Sequence, residues 1–277
     1  MSQNEFSWKS ADGLAFYGRE WRPDGQPRAV VVLVHGLGEH CGRYAHVAEV
    51  FNAAGLGVVA LDHRGHGKTE GTRGHGSYAD MGNDIAHLLE EAANRYPGLP
   101  CFLYGHSLGG ALVLYYTLTR KPVLVGVIAT APGLIPANPP AGAMMLAAKI
   151  ASVVAPAMQI DNNLDRTGLA RDPEVEKKYS VDPLVHGKIS AKLGMDLINK
   201  GAWMIAHAAE FPLPLLLLQG TADRLVSPTG TAAFAAAAPK DKLTYKTYEG
   251  YYHELHNEPE KVEVLADILD WINEQLG

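Results

Sequence analysis

Gly105-His106-Ser107-Leu108-Gly109 is the stretch that decides how this chain of 277 residues reads. It is preceded by Cys101-Phe102-Leu103-Tyr104, which is strand-like, and followed by Ala111 to Thr119, which reads as a helix. A serine at a sharp strand-to-helix turn is forced into a strained backbone conformation that glycine neighbours can accommodate. Its Oγ then stands exposed above the sheet, with a helix N-terminus behind it. The five letters alone turn up by chance in roughly one chain in ten. Strand and helix together make the pattern a nucleophile elbow.

A serine hydroxyl is a weak nucleophile; it needs a base, and the base needs an orienting acid. On sheets that carry such an elbow the partners follow in the chain order Ser, Asp or Glu, His. Downstream, Leu215-Leu216-Leu217-Leu218-Gln219 reads as a buried strand, and Gly220-Thr221-Ala222-Asp223 turns off its end. Leu243 to Tyr248 reads as the next strand, followed by a turn at Gly250 and then His253. Catalytic groups collect at the carboxyl ends of parallel strands. Of the twelve histidines only His253 and His256 lie beyond Asp223, and His253 is nearer the strand end. Ser107, Asp223 and His253 are therefore the expected nucleophile, acid and base. Asp241 is the rival acid, but its polar loop, Pro239-Lys240-Asp241-Lys242, follows no buried strand. A solvated loop acid and a surface histidine are the plain alternatives.

Composition agrees. At 47% hydrophobic and 19% charged, the chain suits one large α/β domain carrying an insertion. The net charge of −6 and the lack of any basic run exclude a partner recognised through its phosphate backbone, so no nucleic acid is expected. Cys41 and Cys101 make no disulfide framework. Met1 to Ser10 has neither a basic nor an apolar leader region, so a reduced, cytoplasmic setting is expected.

Along the chain, strands and helices alternate. Phe6, Trp8, Leu14 and Phe16 alternate around Asp12-Gly13 as a hairpin does. Ala29 to Val34 and Gly57 to Leu61 are apolar strand runs, with helical spacing between them over Tyr44 to Ala54. Met81 to Tyr96 predicts a helix with Ile85, Leu88 and Leu89 on its apolar face, and Val123 to Ala129 a further buried strand. This rhythm specifies a mostly parallel sheet covered on both faces.

One stretch breaks it. About eighty residues without a clear strand separate Thr130 from the strand expected near Leu213, too many for a simple crossover. Pro132, Pro136, Pro139 and Pro140 open the stretch, and Ala141 to Ala155 predicts an apolar helix whose only charge is Lys149. The natural reading is a helical lid, residues 132–205, inserted after the sixth strand of a core made of 1–131 and 206–277. The apolar helix is too short to span a bilayer. It is expected to pack on the core and to dock on lipid surfaces, which implies peripheral membrane association; self-association, and so monomer or dimer, stays open.

Acyl transfer also needs donors for an oxyanion, usually two backbone N–H groups. One belongs to the residue after the nucleophile, Leu108; the other is expected from Leu37, in the turn His35-Gly36-Leu37-Gly38-Glu39-His40 after an early strand. Asp62-His63-Arg64-Gly65-His66-Gly67 follows another strand and reads as turn geometry. Its H-x-x-H spacing lacks a third metal ligand and H-E-x-x-H is absent, so no metal is expected.

Taken together, His35 to Tyr44, Asp62 to Gly67, Gly105 to Gly110, Leu218-Gln-Gly-Thr-Ala-Asp-Arg-Leu225 and Tyr252-His-Glu-Leu-His256 resemble the monoacylglycerol lipase family, especially its bacterial members. The likeness runs from the N-terminal hairpin to Trp271 and includes Arg171 to Leu184. G-x-S-x-G is shared very widely, whereas H-G-x-G-E-H-x-x-R-Y is far more specific. The resemblance implies an α/β-hydrolase fold and hydrolysis of monoacylglycerols to glycerol and fatty acid, without metal or organic cofactor. It implies the triad Ser107, Asp223 and His253, the oxyanion donors Leu37 and Leu108, and glycerol-end contacts at Glu39, Arg43, Tyr179 and His256. Many relatives carry Met where this chain has Leu108; since the N–H does the work, little changes. A carboxylesterase or lysophospholipase with the same triad is the alternative enzyme, and a hydrolase-fold ligand-binding protein the alternative class.

Overall fold

The computed structural model of the chain describes residues 2–277; Met1, where the expected core segment 1–131 begins, lies outside the described residues. β1 (Ser2–Lys9) and β2 (Ala15–Arg22) form the expected antiparallel hairpin, with Trp8 opposite Phe16. Then β3 (Ala29–Val34), α1 (Ala45–Ala53), β4 (Leu56–Leu61), α2 (Tyr78–Arg95), β5 (Cys101–His106), α3 (Leu108–Arg120) and β6 (Gly126–Thr130) alternate. The insertion supplies α4 (Gly142–Val154), β7 (Gln159–Asp161), α5 (Pro173–Val181), β8 (Lys188–Ser190) and α6 (Ala191–Ala206). β9 (Leu215–Gly220), α7 (Pro228–Ala237), β10 (Leu243–Tyr248) and α8 (Lys261–Leu276) follow.

Eight strands make one sheet in the order β1-β2-β4-β3-β5-β6-β9-β10. β1 and β2 run antiparallel to their neighbours, and the six remaining strands are parallel to one another. This is the α/β-hydrolase arrangement. Side chains alternate between its two faces as strand geometry demands. Val30, Val32 and Val34 of β3 join Ile85 and Leu88 of α2 and Leu112 of α3 in one core. Val31 and Leu33 join Val47 and Phe51 of α1 and Ile268 and Trp271 of α8 in the other.

β4 and β5 flank β3 on opposite sides, so the crevice of this sheet opens at the carboxyl ends of β3 and β5. Val34 is level with Gly105 in the register, which sets the turn after β3 beside the elbow after β5.

The insertion differs from expectation in one respect. Gln159–Asp161 and Lys188–Ser190 pair as a small antiparallel sheet, in a stretch expected to hold no clear strand. Three-residue strands are too short to leave an alternating pattern. The strand expected near Leu213 begins at Leu215, because Pro214 has no N–H for the ladder. Within the insertion, Leu193 and Met204 of α6 belong to the sheet's own apolar core, whereas α4 has no buried residue.

Candidate active site

Ser107 has φ 54° and ψ −117°, a conformation that L-residues rarely adopt. Its backbone is held from three sides: its N–H donates to Thr130 O at 3.0 Å, and its carbonyl accepts from Ala111 N and Gly133 N. The glycines of the motif are there for contact. A Cβ on Gly105 would stand 2.3 Å from Gly109 O, and one on Gly109 would stand 2.0 Å from Val34 O. Any side chain at either position would push α3 off the sheet.

The two sequence-predicted partners meet the serine. His253 lies 2.9 Å through Nε2 from Ser107 Oγ, and its Nδ1 lies 2.7 Å from Asp223 Oδ2. Because the carboxylate only accepts, His253 carries its proton on Nδ1, leaving Nε2 as the acceptor for the serine hydroxyl. Asp223 is fixed in turn. Its Oδ1 accepts from Leu225 N and Val226 N, and its Oδ2 from Gln219 Nε2, while Thr231 Oγ1 donates to Gln219 Oε1. Burial opposes the Asp223 charge, but His253 and the two backbone N–H groups outweigh it and hold its pKa below the ordinary value. Burial likewise opposes imidazolium on His253; the Asp223 charge and hydrogen bond, with smaller help from Glu254 and Glu39, outweigh it and raise its pKa. Such an imidazole can take a proton from a serine and return it to a leaving group. Asp241 lies in an exposed turn at the amino end of β10, the wrong end of the strand for this site.

The turn after β3 is organised by Glu39. One of its carboxylate oxygens, Oε1, accepts from Gly36 N and Tyr44 OH, both at 2.7 Å; the other, Oε2, accepts from Arg43 Nη1 at 2.5 Å. Arg43 then forks onto Glu254, both of whose oxygens lie 2.7 Å from its Nη1 and Nη2. Leu37, between Gly36 and Gly38, lines the same cavity as Ser107 and Leu108. Leu108 opens α3, where the backbone N–H has no partner within the helix. From the insertion, His186 N donates to Gly38 O at 2.9 Å, steadying the turn from outside.

Glu254 was not singled out from the sequence; its only signal is its position beside the base. Burial opposes its charge, yet Arg43 outweighs this and holds its carboxyl far below the ordinary range.

A cavity of about 610 Å³ rises from the serine. Leu37, Leu164, Leu197, Ile198, Leu225 and Val226 supply apolar wall, while Glu39, Tyr179 and Glu254 supply a polar patch. Arg43 and His256 do not line it. The guanidinium of Arg43 lies 4.8 Å over the Tyr179 ring, and His256 stacks on Tyr44 and meets the His106 ring edge-on. His256 is fully buried, and burial together with the neighbouring His106 keeps it neutral. His63 and His66 spend one ring nitrogen each on the backbone, at His35 O and Arg64 O, as a turn requires.

The chain is similar to known proteins in sequence and in fold. The family described as serine aminopeptidase, S33 (Hydrolase_4), matches residues 25–260. The monoacylglycerol lipase of Mycolicibacterium smegmatis is 38% identical over 273 residues, 98% of this chain and 97% of that protein. The monoglyceride lipase of Rattus norvegicus is 35% identical over 97% of this chain and 90% of its own length. Among solved structures, the monoacylglycerol lipase of Paleococcus ferrophilus superposes with a TM-score of 0.87 at 37% identity, covering 94% of this chain and 99% of that one.

Proposed function

The chain belongs to the Hydrolase_4 family and to the monoacylglycerol lipases within it, and from that premise we propose that it cleaves monoacylglycerols to glycerol and fatty acid through an acyl-enzyme on Ser107. The observation that carries this reading is the unbroken Ser107–His253–Asp223 line, at 2.9 and 2.7 Å, opening into a largely apolar cavity with Glu39, Tyr179 and Glu254 in its wall.

His253 removes the hydroxyl proton as Ser107 Oγ attacks the ester carbonyl, and Asp223 stabilises the imidazolium. The N–H groups of Leu37 and Leu108 receive the oxyanion. Glycerol leaves with the proton from His253; water then repeats the sequence and frees the fatty acid. Glu39 and Tyr179 face the departing glycerol. Arg43 and His256 act from behind that wall, Arg43 by holding Glu39 and Glu254 in place.

The polar patch favours this head group over a lysophospholipid. Among the described residues lining the cavity there is no lysine or arginine, whereas Glu39, Asp161 and Glu254 are present. Glu39 and Glu254 share the single charge of Arg43, which keeps the Glu254 carboxyl ionised. A phosphate would find no lysine or arginine on this wall, and Arg43 and Lys188, which pair with these carboxylates, are already committed; a diol needs only donors and acceptors.

Residues 132–205 form a cap whose α4 docks on lipid aggregates. Met144 and Ala148 line the cavity, while Leu146, Val153 and Val154 on the same helix are exposed, the last two by 79% and 73%. No helix among the described residues is long and apolar enough to cross a membrane, so the contact is peripheral. Liposome co-sedimentation tests it: the wild type should pellet and a Met145→Glu, Leu146→Glu variant should not. A wild type that stays in the supernatant refutes docking, and a variant that only changes oligomer size makes α4 a subunit contact.

A panel of monoacylglycerols, triacylglycerols, lysophospholipids and p-nitrophenyl esters tests the activity itself. Monoacylglycerols should give the highest kcat/KM, and a fluorophosphonate should label Ser107. Absence of labelling would make the chain a ligand-binding protein; a preference for lysophospholipids would displace the substrate assignment.

A further inference from the structure

α6 contains two glycines, and they are there for different reasons. A Cβ on Gly201 would stand 1.9 Å from Leu134 O, so close packing against backbone requires that glycine. Gly194 meets no such demand. Its φ is not in the left-handed region, and an added Cβ would touch only Ile189 Cδ1, at an ordinary 3.7 Å. Glycine inside a helix is nonetheless unfavourable relative to alanine, through the extra backbone freedom it loses on folding. What Gly194 does instead is border the cavity. Ala191, Gly194, Leu197 and Ile198 follow one another at the three- and four-residue spacing that shares one helix face, and all four line it, as do Met144 and Ala148 of α4.

We propose that Gly194 sets the length of acyl chain this cavity accepts, by leaving open the space between α6 and α4 that a side chain at this position would fill. The inference rests on the reading of Ser107 as the nucleophile of an ester hydrolase. Leu197 reaches the neighbourhood of the elbow: a Cβ on Gly133 would lie 3.2 Å from Leu197 Cδ2 and 3.5 Å from Ser107 O. Gly194 is nearly one helical turn from Leu197, roughly 5 Å along the axis. Bulk there obstructs an acyl chain some carbons beyond the carbonyl and leaves the reacting atoms untouched. Each methylene that loses its apolar surroundings costs roughly fourfold in transition-state binding.

The test is the kcat/KM profile of p-nitrophenyl esters from acetyl to palmitoyl, whose constant leaving group separates acyl fit from glycerol recognition. Gly194→Leu should lose on the order of 100-fold on the dodecanoyl to palmitoyl esters and stay within about threefold on acetyl and butyryl. Gly194→Ala guards against a folding artefact. It should raise the thermal midpoint by roughly 1–4 °C, as alanine does in an unhindered helix position, while shortening the profile in the same direction. A Gly194→Leu profile that superposes on the wild type overturns the proposal, and so does a Gly194→Ala variant that loses stability, since that assigns the glycine to packing. A wild type inert on every ester would instead remove the underlying assignment of Ser107.

Discussion

α3 and α4 are both thirteen residues long and both built largely from apolar residues, yet ten residues of α3 are buried and none of α4. The difference lies in how each is attached. α3 follows β5 through a single strained residue, so it must turn straight back along the sheet, where Leu112 and Leu114 fill the core shared with α2. α4 sits in a long insertion after Pro136, Pro139 and Pro140, held to the rest by its contacts with α6. The same composition therefore yields a rigid platform in one place and, in the other, an apolar surface left to meet something else.

The sharpest test of the platform is its chemistry. Ser107→Ala should lower kcat by about 10⁶-fold with the fold intact, and Asp223→Asn by about 10⁴-fold through the wrong imidazole tautomer. Asp241→Asn should leave kcat within about twofold, and His256→Ala should be milder than His253→Ala on p-nitrophenyl esters. Residual turnover near wild type in Ser107→Ala would take the platform away from catalysis.

A second test sets the two helices against each other directly. Leu112→Ala should cost about 2–5 kcal/mol in a denaturant titration, because it opens a hole in a closed core. Leu146→Ala on α4, where the side chain is 61% exposed, should change stability by no more than about 0.5 kcal/mol. Equal costs would mean that α4 is buried in solution.

The pH profile supplies the smallest and most specific effect. His253 must be neutral to act as base, so kcat/KM is lost as pH falls through its pKa. Because Asp223 raises that pKa against the effect of burial, the acid limb should lie above the ordinary histidine value of about 6.5. In the residual activity of Asp223→Asn it should move to lower pH. A limb that does not move would detach the carboxylate from the base.

Much of this was legible in the chain. Strand runs such as Val30-Val31-Val32-Leu33-Val34 are apolar at every position because both faces of the sheet are covered, and that signal is local. Chain order then placed Asp223 and His253 without any knowledge of distance. What local pattern could not carry was partnership across the chain. The fork from Arg43 to Glu254 turns what reads as a glycerol contact into a brace between two loops. His256 has the residue type of a site and the environment of a core, 0% exposed against Tyr44 and His106. Whether an apolar helix is covered is likewise decided by what the fold puts next to it.

That brace also has a consequence in time. Arg43 and Glu254 are separated by 211 residues, and a ribosome delivers a chain from its N-terminus at roughly 5–20 residues per second. Arg43 thus emerges roughly 10–40 seconds before the carboxylate it forks onto, and Ser107, 146 residues ahead of His253, roughly 7–30 seconds before the imidazole beside it. Throughout that interval the nascent protein carries a serine without a base. On the proposed roles of Ser107 and His253, a hydrolase assembled in this order gains its activity only once nearly all of it has been made.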